Sequence, residues 1–436
     1  MSVGHGGSGT VAPSPAAVSA PAPAPEPWPV RRLFPLLATV ALLVIGMVGT
    51  IVVGPHLMGR TAWSLPDDLW GTLVAAQRLA HLDLAGLYTQ PTGLVTFPGA
   101  AVILVPTAAV ADAAGLSLQH PGPHNQQPAV WLVAGPYMTA LSAVALFAAD
   151  ALAERLRLSR PKRAFLAVAS GTALWNVSVQ WGHPEDAVAV ALLLFAVLAL
   201  SEARTARAAW LAGAAIAVQP LVLLALPVLL AVIEPRRIAG FLAKAAVPSA
   251  VLLGAAAAAN WQATYQAVTR QPNWPAVDHP TPWLPLAPHL ARGAVAGGPA
   301  RALAILVACG CALIVGRRLR EARRARSWSR ATLEELLWWT AVALALRCVF
   351  EPVMVAYYLW PGLALALIVA ASEWQRLIWA FVFATAVTFG SQSGWRSTWG
   401  WWGCMILGLA LTLLCARAPL RRPSPRPAAQ CAPHPP

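Results

Sequence analysis

Asp67 and Asp68 stand side by side in "SLPDDLWG" (residues 64–71), within a chain of 436 residues that has only 17 acids. Two adjacent carboxylates at a membrane edge could supply a general base for a hydroxyl, the second raising the proton affinity of the first by like-charge repulsion. The same residues also read as helix punctuation, since Ser64-x-x-Asp67 is a capping box and acids suit a first turn. That accounts for Asp67 better than for Asp68. A second cluster, "WGHPED" (181–186), sets His183, Glu185 and Asp186 beside Trp181. It suits substrate binding or assistance to a metal, although a proline followed by two acids is also ordinary helix-start chemistry and no metal-ligand spacing is present. Arg347 and Glu351, four apart, could form an internal ion pair; an Arg at a membrane edge could instead bind a phosphate bidentately and stabilise it as it leaves. Tyr357 and Tyr358 are candidates for the wall of the same pocket, or for an interfacial aromatic belt.

The elements that carry these residues follow from composition. The chain is 58% hydrophobic and 11% charged, against roughly 25% charged in soluble domains. Long apolar runs, 20 Trp and short polar intervals describe an all-α polytopic membrane protein rather than a barrel of alternating strands. About 10–12 transmembrane helices are expected. The net charge of +14 could suggest nucleic acid, but 24 of the 31 basic residues fall in loops or tails that can all lie on one side. The excess is the topology signal of the positive-inside rule, and no aromatic-basic motif argues for nucleic acid. Cys309, Cys311, Cys348, Cys404, Cys415 and Cys431 form no CxxC pair and read as small core residues.

Residues 1–30 are Pro-, Ala- and Ser-rich and are expected to be a disordered cytoplasmic tail, as is 417–436; residues 31–416 form the membrane domain. Arg31 and Arg32 precede an apolar run from Leu33 to Val53, long enough to span ~30 Å and longer than a signal-peptide core. If Leu94–Leu116 spanned as well, the basic stretch 154–163 would fall outside. Residues 54–128 are therefore expected to form one long external loop with helices lying on or dipping into the membrane, and 260–298 a second. Charge imposes one further condition. The segments "EARTAR" and "EPRR" are both basic, so the 26 residues between them must cross twice or not at all, with a bend at Gln219-Pro220. A single ordinary span is the alternative, and it inverts everything downstream. Gln219, at that bend, joins the candidate binding residues. The loop 260–293 adds Trp261, Tyr265, Asn273, Trp274, Asp278, His279 and Trp283, a mixture that suits sugar recognition and equally an aromatic belt.

The acidic pair after the first helix, followed by "GLY" and "TGLVTFPG", then "WGHPEDAVAVALLL", "AAWLAGAAIAVQPLVLLALPVLL" and "EPVMVAYYLWPGLAL", resembles the actinobacterial multi-pass glycosyltransferases of the GT-C superfamily. The likeness covers residues 33–416 and is nearest to mannosyltransferases that use lipid-phosphate sugars. It implies a polyprenyl-phosphate sugar as co-substrate, a glycan or glycolipid acceptor and an extracytoplasmic site in a plasma membrane with both termini cytoplasmic. It also implies an essential Asp in the first external loop, here Asp67 or Asp68. Relatives often carry D-x-D or a single acid where this chain has DD, which leaves open which aspartate acts and whether a divalent metal assists. A transporter or lipid flippase is the alternative, since bent helices near Gln219-Pro220 suit alternating access.

Overall fold

The computed structural model describes residues 27–53, 63, 67–89, 94–118, 130–320, 328–395 and 397–417, with the backbone alone for Val53, Asp67 and Asp68. Most of both expected tails, together with Ser64 of the capping box, lies outside the described residues. The rest is all-α apart from one two-residue antiparallel pair, β1 (His279–Pro280) with β2 (Val353–Met354).

Proline starts many of these helices. Pro98–Val102, Arg160–Trp175, Pro184–Ser201, Pro235–Ala259, Gly298–Arg318 and Trp360–Ala370 all have Pro in the first two positions, where its missing N–H costs nothing and its φ is already helical. Among the described residues, five helices are long and apolar enough to cross a membrane: Leu33–Val52, Trp131–Arg155, Pro184–Ser201, Pro235–Ala259 and Gly298–Arg318. Four further apolar helical segments, Thr205–Val218, Pro220–Leu230, Ala356–Ala370 and Gly400–Ala416, are shorter. Ala356–Ala370 is buried along its length, where neighbouring helices can satisfy backbone groups freed at a break.

Pro184–Ser201 is apolar on every side, as a helix enclosed by others must be, and 83% of it is buried. Pro235–Ala259 is 11% buried and belongs to the periphery. Between them runs Thr205–Val218. A Cβ at Gly213 would strike the Ala245 backbone, so this small residue lets two helices approach closely. Cys311 and Cys348 are buried as expected, whereas Cys309 and Cys404 are exposed. The difference for Cys309 follows from its helix, Gly298–Arg318, which is only 28% buried.

Contacts at the helix ends define two sides. On one side Asp150 accepts from Arg32 at 2.7 Å and from Arg163 at 2.8 and 2.7 Å. There too Arg155 donates to the Ser201 carbonyl, and Lys162 and Arg330 both donate to that of Ser372. At the opposite end the Trp63 amide donates to the Val179 carbonyl, Asn260 reaches the Ala85 carbonyl and β1 pairs with β2.

The segment at Gln219 leaves the basic side and comes back. Ala203 and Thr205 share a small cavity with Ile233 and Glu234, and with Leu319 and Trp328. Gln219 lies far from these, against Asp186 at the start of Pro184–Ser201. The reversal is local chemistry. Pro220 holds the preceding residue extended, Gln219 has φ −145° and ψ 110°, and a 3-10 turn (Pro220–Ala225) and short helix (Leu226–Leu230) return the chain.

Between the first two long helices, Asp67–Ala80, Pro98–Val102 and Val105–Ala113 run 14, 5 and 9 residues, too short to span ~30 Å. Together with Trp131–Arg155 they enclose a second core around Trp63, Trp70, Leu73, Leu104 and Met138.

Candidate functional site

The polar residues singled out in "WGHPED" meet those of the late helices at the end opposite the basic side. Helix Arg160–Trp175 continues into a π-helical turn, Asn176–Gln180, and the chain then reverses through Gly182 at φ +62°. That value favours glycine, and a Cβ there would also come within 2.8 Å of Leu69 Cδ2. The first turn of Asp67–Ala80 therefore abuts this reversal. The side chains of Asp67 and Asp68 lie outside the described residues.

His183 precedes the Pro184–Ser201 helix, and its Nδ1 lies 2.6 Å from Glu185 Oε1. Its ring stacks on Tyr357 with centroids 3.7 Å apart. Tyr357 meets Tyr358 edge-on at 4.9 Å, and the Arg347 guanidinium lies 3.5 Å over the Tyr358 ring, a cation-π arrangement that gains strength away from water. Asp186, wholly buried, accepts from Gln219 Nε2 at 2.6 Å, while Gln219 Oε1 accepts from the Thr96 hydroxyl at 3.4 Å. Glu185 Oε2, Asp186 Oδ2 and Arg347 Nη1 are buried without a hydrogen-bond partner among the described residues. Buried polar atoms are seldom left unpaired. Three of them belong to one network here.

Arg347 and Glu351 do not form the i,i+4 ion pair their spacing allows. Helix Arg330–Phe350 stops one residue early, and Glu351 is extended (φ −77°, ψ 138°). Its carboxylate is held instead by Arg301, whose Nε lies 2.9 and 3.0 Å from the two oxygens and whose Nη2 also bonds Oε1.

Gln219, Arg301, Arg347 and Glu351 line one cavity of about 300 Å³. Thr96 and Gln271 also line it, and the rest of the wall is apolar, including Leu223, Leu224, Val268, Ile305 and Phe350. Leu223 and Ile305 are 44% and 53% exposed, so the apolar wall reaches the outer surface of the bundle. The cavity suits a molecule with a polar head and a hydrocarbon tail, the tail leaving sideways.

Thus the structure gathers His183, Glu185, Asp186, Gln219, Arg347, Glu351, Tyr357 and Tyr358 into one region. From the loop 260–298, Thr281 donates to the Glu351 carbonyl at 2.6 Å and Trp283 Nε1 to that of Val349 at 2.7 Å. His279 stacks on Trp401. Trp261 and Tyr265 are exposed and stack on each other along Trp261–Thr269, as an aromatic belt would have them. Arg301, Gln271 and Thr96 escaped sequence reasoning. For Arg301 a signal existed, because it is one of the few basic residues outside the basic side. Among the described residues no three or more His, Cys, Asp or Glu side chains are placed to hold a metal ion.

No protein-family model matches the chain, and no curated protein matches its sequence.

Proposed function

We propose that the protein is an integral membrane hexosyltransferase of GT-C type. It moves a sugar, mannose in the first instance, from a polyprenyl-phosphate donor to a hydroxyl of an envelope glycan or glycolipid on the extracytoplasmic face of the plasma membrane. The observation that carries this reading is the cavity whose apolar wall reaches the outer surface and whose inner wall holds Arg347. A long lipid with a phosphate head needs both features.

In this reading the lipid chain leaves past Leu223 and Ile305 while the phosphate meets Arg347. The acceptor oxygen attacks the anomeric carbon, its proton passes to Asp67 or Asp68, and the anomeric carbon–oxygen bond breaks. The electron pair leaves on the polyprenyl phosphate, whose charge Arg347 stabilises. A single displacement of this kind inverts the anomeric centre. Leu69, two residues beyond Asp67, packs at Gly182, which supports placing the base on the His183 side.

A transporter holds its substrate near the bilayer midplane, whereas the polar network of His183, Glu185, Asp186 and Gln219 lies at the start of Pro184–Ser201, at the end opposite the basic side, which favours the transferase.

The test uses membranes expressing the chain, radiolabelled polyprenyl-phosphate mannose and an envelope extract as acceptor. Wild type transfers label, and Asp67→Asn or Asp68→Asn lowers the rate about 10²–10⁴-fold. Normal transfer by both correctly inserted variants removes the base assignment. Failure of the wild type across several lipid-linked sugars removes the reaction class.

A further inference from the structure

Two cations and one carboxylate share the cavity wall: Arg301, Arg347 and Glu351. Their pairing is unequal. Glu351, 2% exposed, is gripped by the fork of Arg301, whereas Arg347 rests on Tyr358 with Nη1 buried and unpartnered among the described residues. Arg347 still lies within the electrostatic reach of Glu351. The grip is built in at several points. Thr281 and Trp283 fix the backbone at Glu351 and Val349. Gly297 leaves room for the Arg301 side chain, because a Cβ there would collide with its Nε.

We propose that Arg301 is a positioning residue: by occupying Glu351 it keeps the Arg347 guanidinium available to an anionic headgroup in the cavity. The inference rests on the reading that Arg347 receives the phosphate of a lipid substrate. Its logic is competition. A carboxylate removed from water cannot stay uncompensated, and without Arg301 the nearest cation on the cavity wall is Arg347. Glu351 then captures the group the phosphate needs. Deleting the carboxylate as well frees Arg347 again, so the two substitutions must not add.

The test uses the full-length protein in nanodiscs, with farnesyl phosphate as probe and farnesol as its uncharged control. The quantity read is the ratio of the two affinities, with the thermal midpoint recorded beside it. Wild type prefers the phosphate, and Arg347→Gln abolishes the preference. Arg301→Gln lowers it about 30-fold, and the Arg301→Gln/Glu351→Gln double variant restores it to within about threefold of wild type. Gly297→Ala behaves like Arg301→Gln and is rescued by the same Glu351→Gln change. Should Arg301→Gln fail to fold, Arg301→Lys keeps the charge and must keep the preference.

A purely structural brace would shift the midpoint and leave the affinity ratio unchanged. Equal ratios in Arg301→Gln and the double variant, with Arg347→Gln still losing the preference, overturn the positioning role alone. A wild type with no preference for the phosphate overturns both the role and the reading beneath it.

Discussion

Gln219 shows how one side chain joins two functions. Its amide nitrogen donates to Asp186 at 2.6 Å, and the same residue lines the cavity at the bend of the hairpin. Asp186 Oδ2 already lacks a partner among the described residues, so Gln219→Leu strips the carboxylate of its remaining side-chain donor. The expected cost is about 2–3 kcal/mol, visible as a lowered thermal midpoint in detergent. An unchanged midpoint in Gln219→Leu would mean that Asp186 finds another donor. At this scale the sequence was informative wherever charge was scarce. His183, Glu185, Asp186 and Arg347 stood out because acids, and cations away from the basic side, are few, and the fold brings them together. The pairing of Glu351 was not legible. Spacing alone pairs it with Arg347, but helix Arg330–Phe350 ends before it and Arg301 arrives from 50 residues away.

The hairpin between Arg204 and Arg236 is the element on which the topology turns. Charge at both ends demanded a return to the same side, and Ala203 and Glu234 indeed line one cavity. What charge could not specify is how so short a segment reverses. Extended Gln219, the 3-10 turn Pro220–Ala225 and a five-residue helix achieve it, and such breaks depend on tertiary shielding rather than on local propensity. In a cysteine-free background, Arg204→Cys and Arg236→Cys should be labelled by an impermeant maleimide from the same side, and Val277→Cys from the opposite one. Labelling of the first two from opposite sides would make 205–230 a single span. The short helices of 67–113 were legible for a related reason, since counting them as a span would have put the basic stretch 154–163 on the wrong side. Their core around Trp63 and Trp70, shared with Trp131 and Met138 of the next long helix, was not, because nothing in the pattern distinguishes a loop that packs on the bundle from one that lies on lipid.

At the scale of the molecule, positive charge and polar network occupy opposite ends. Arg32, Arg155, Lys162, Arg163 and Arg330 tie helices together on one side, while the unpartnered atoms of Glu185, Asp186 and Arg347 gather near the other. In the proposed orientation the positive-inside rule assigns the first side to the cytoplasm, and the cavity then lies where lipid-carried rather than nucleotide-carried sugar would be met. The most direct test of that central claim is single-turnover sugar transfer by the purified protein in nanodiscs, comparing wild type with Arg347→Gln and with Arg236→Gln on the basic side. The rate should fall about 10²–10³-fold in Arg347→Gln and stay at the wild-type level in Arg236→Gln. Undiminished transfer by Arg347→Gln would contradict the account.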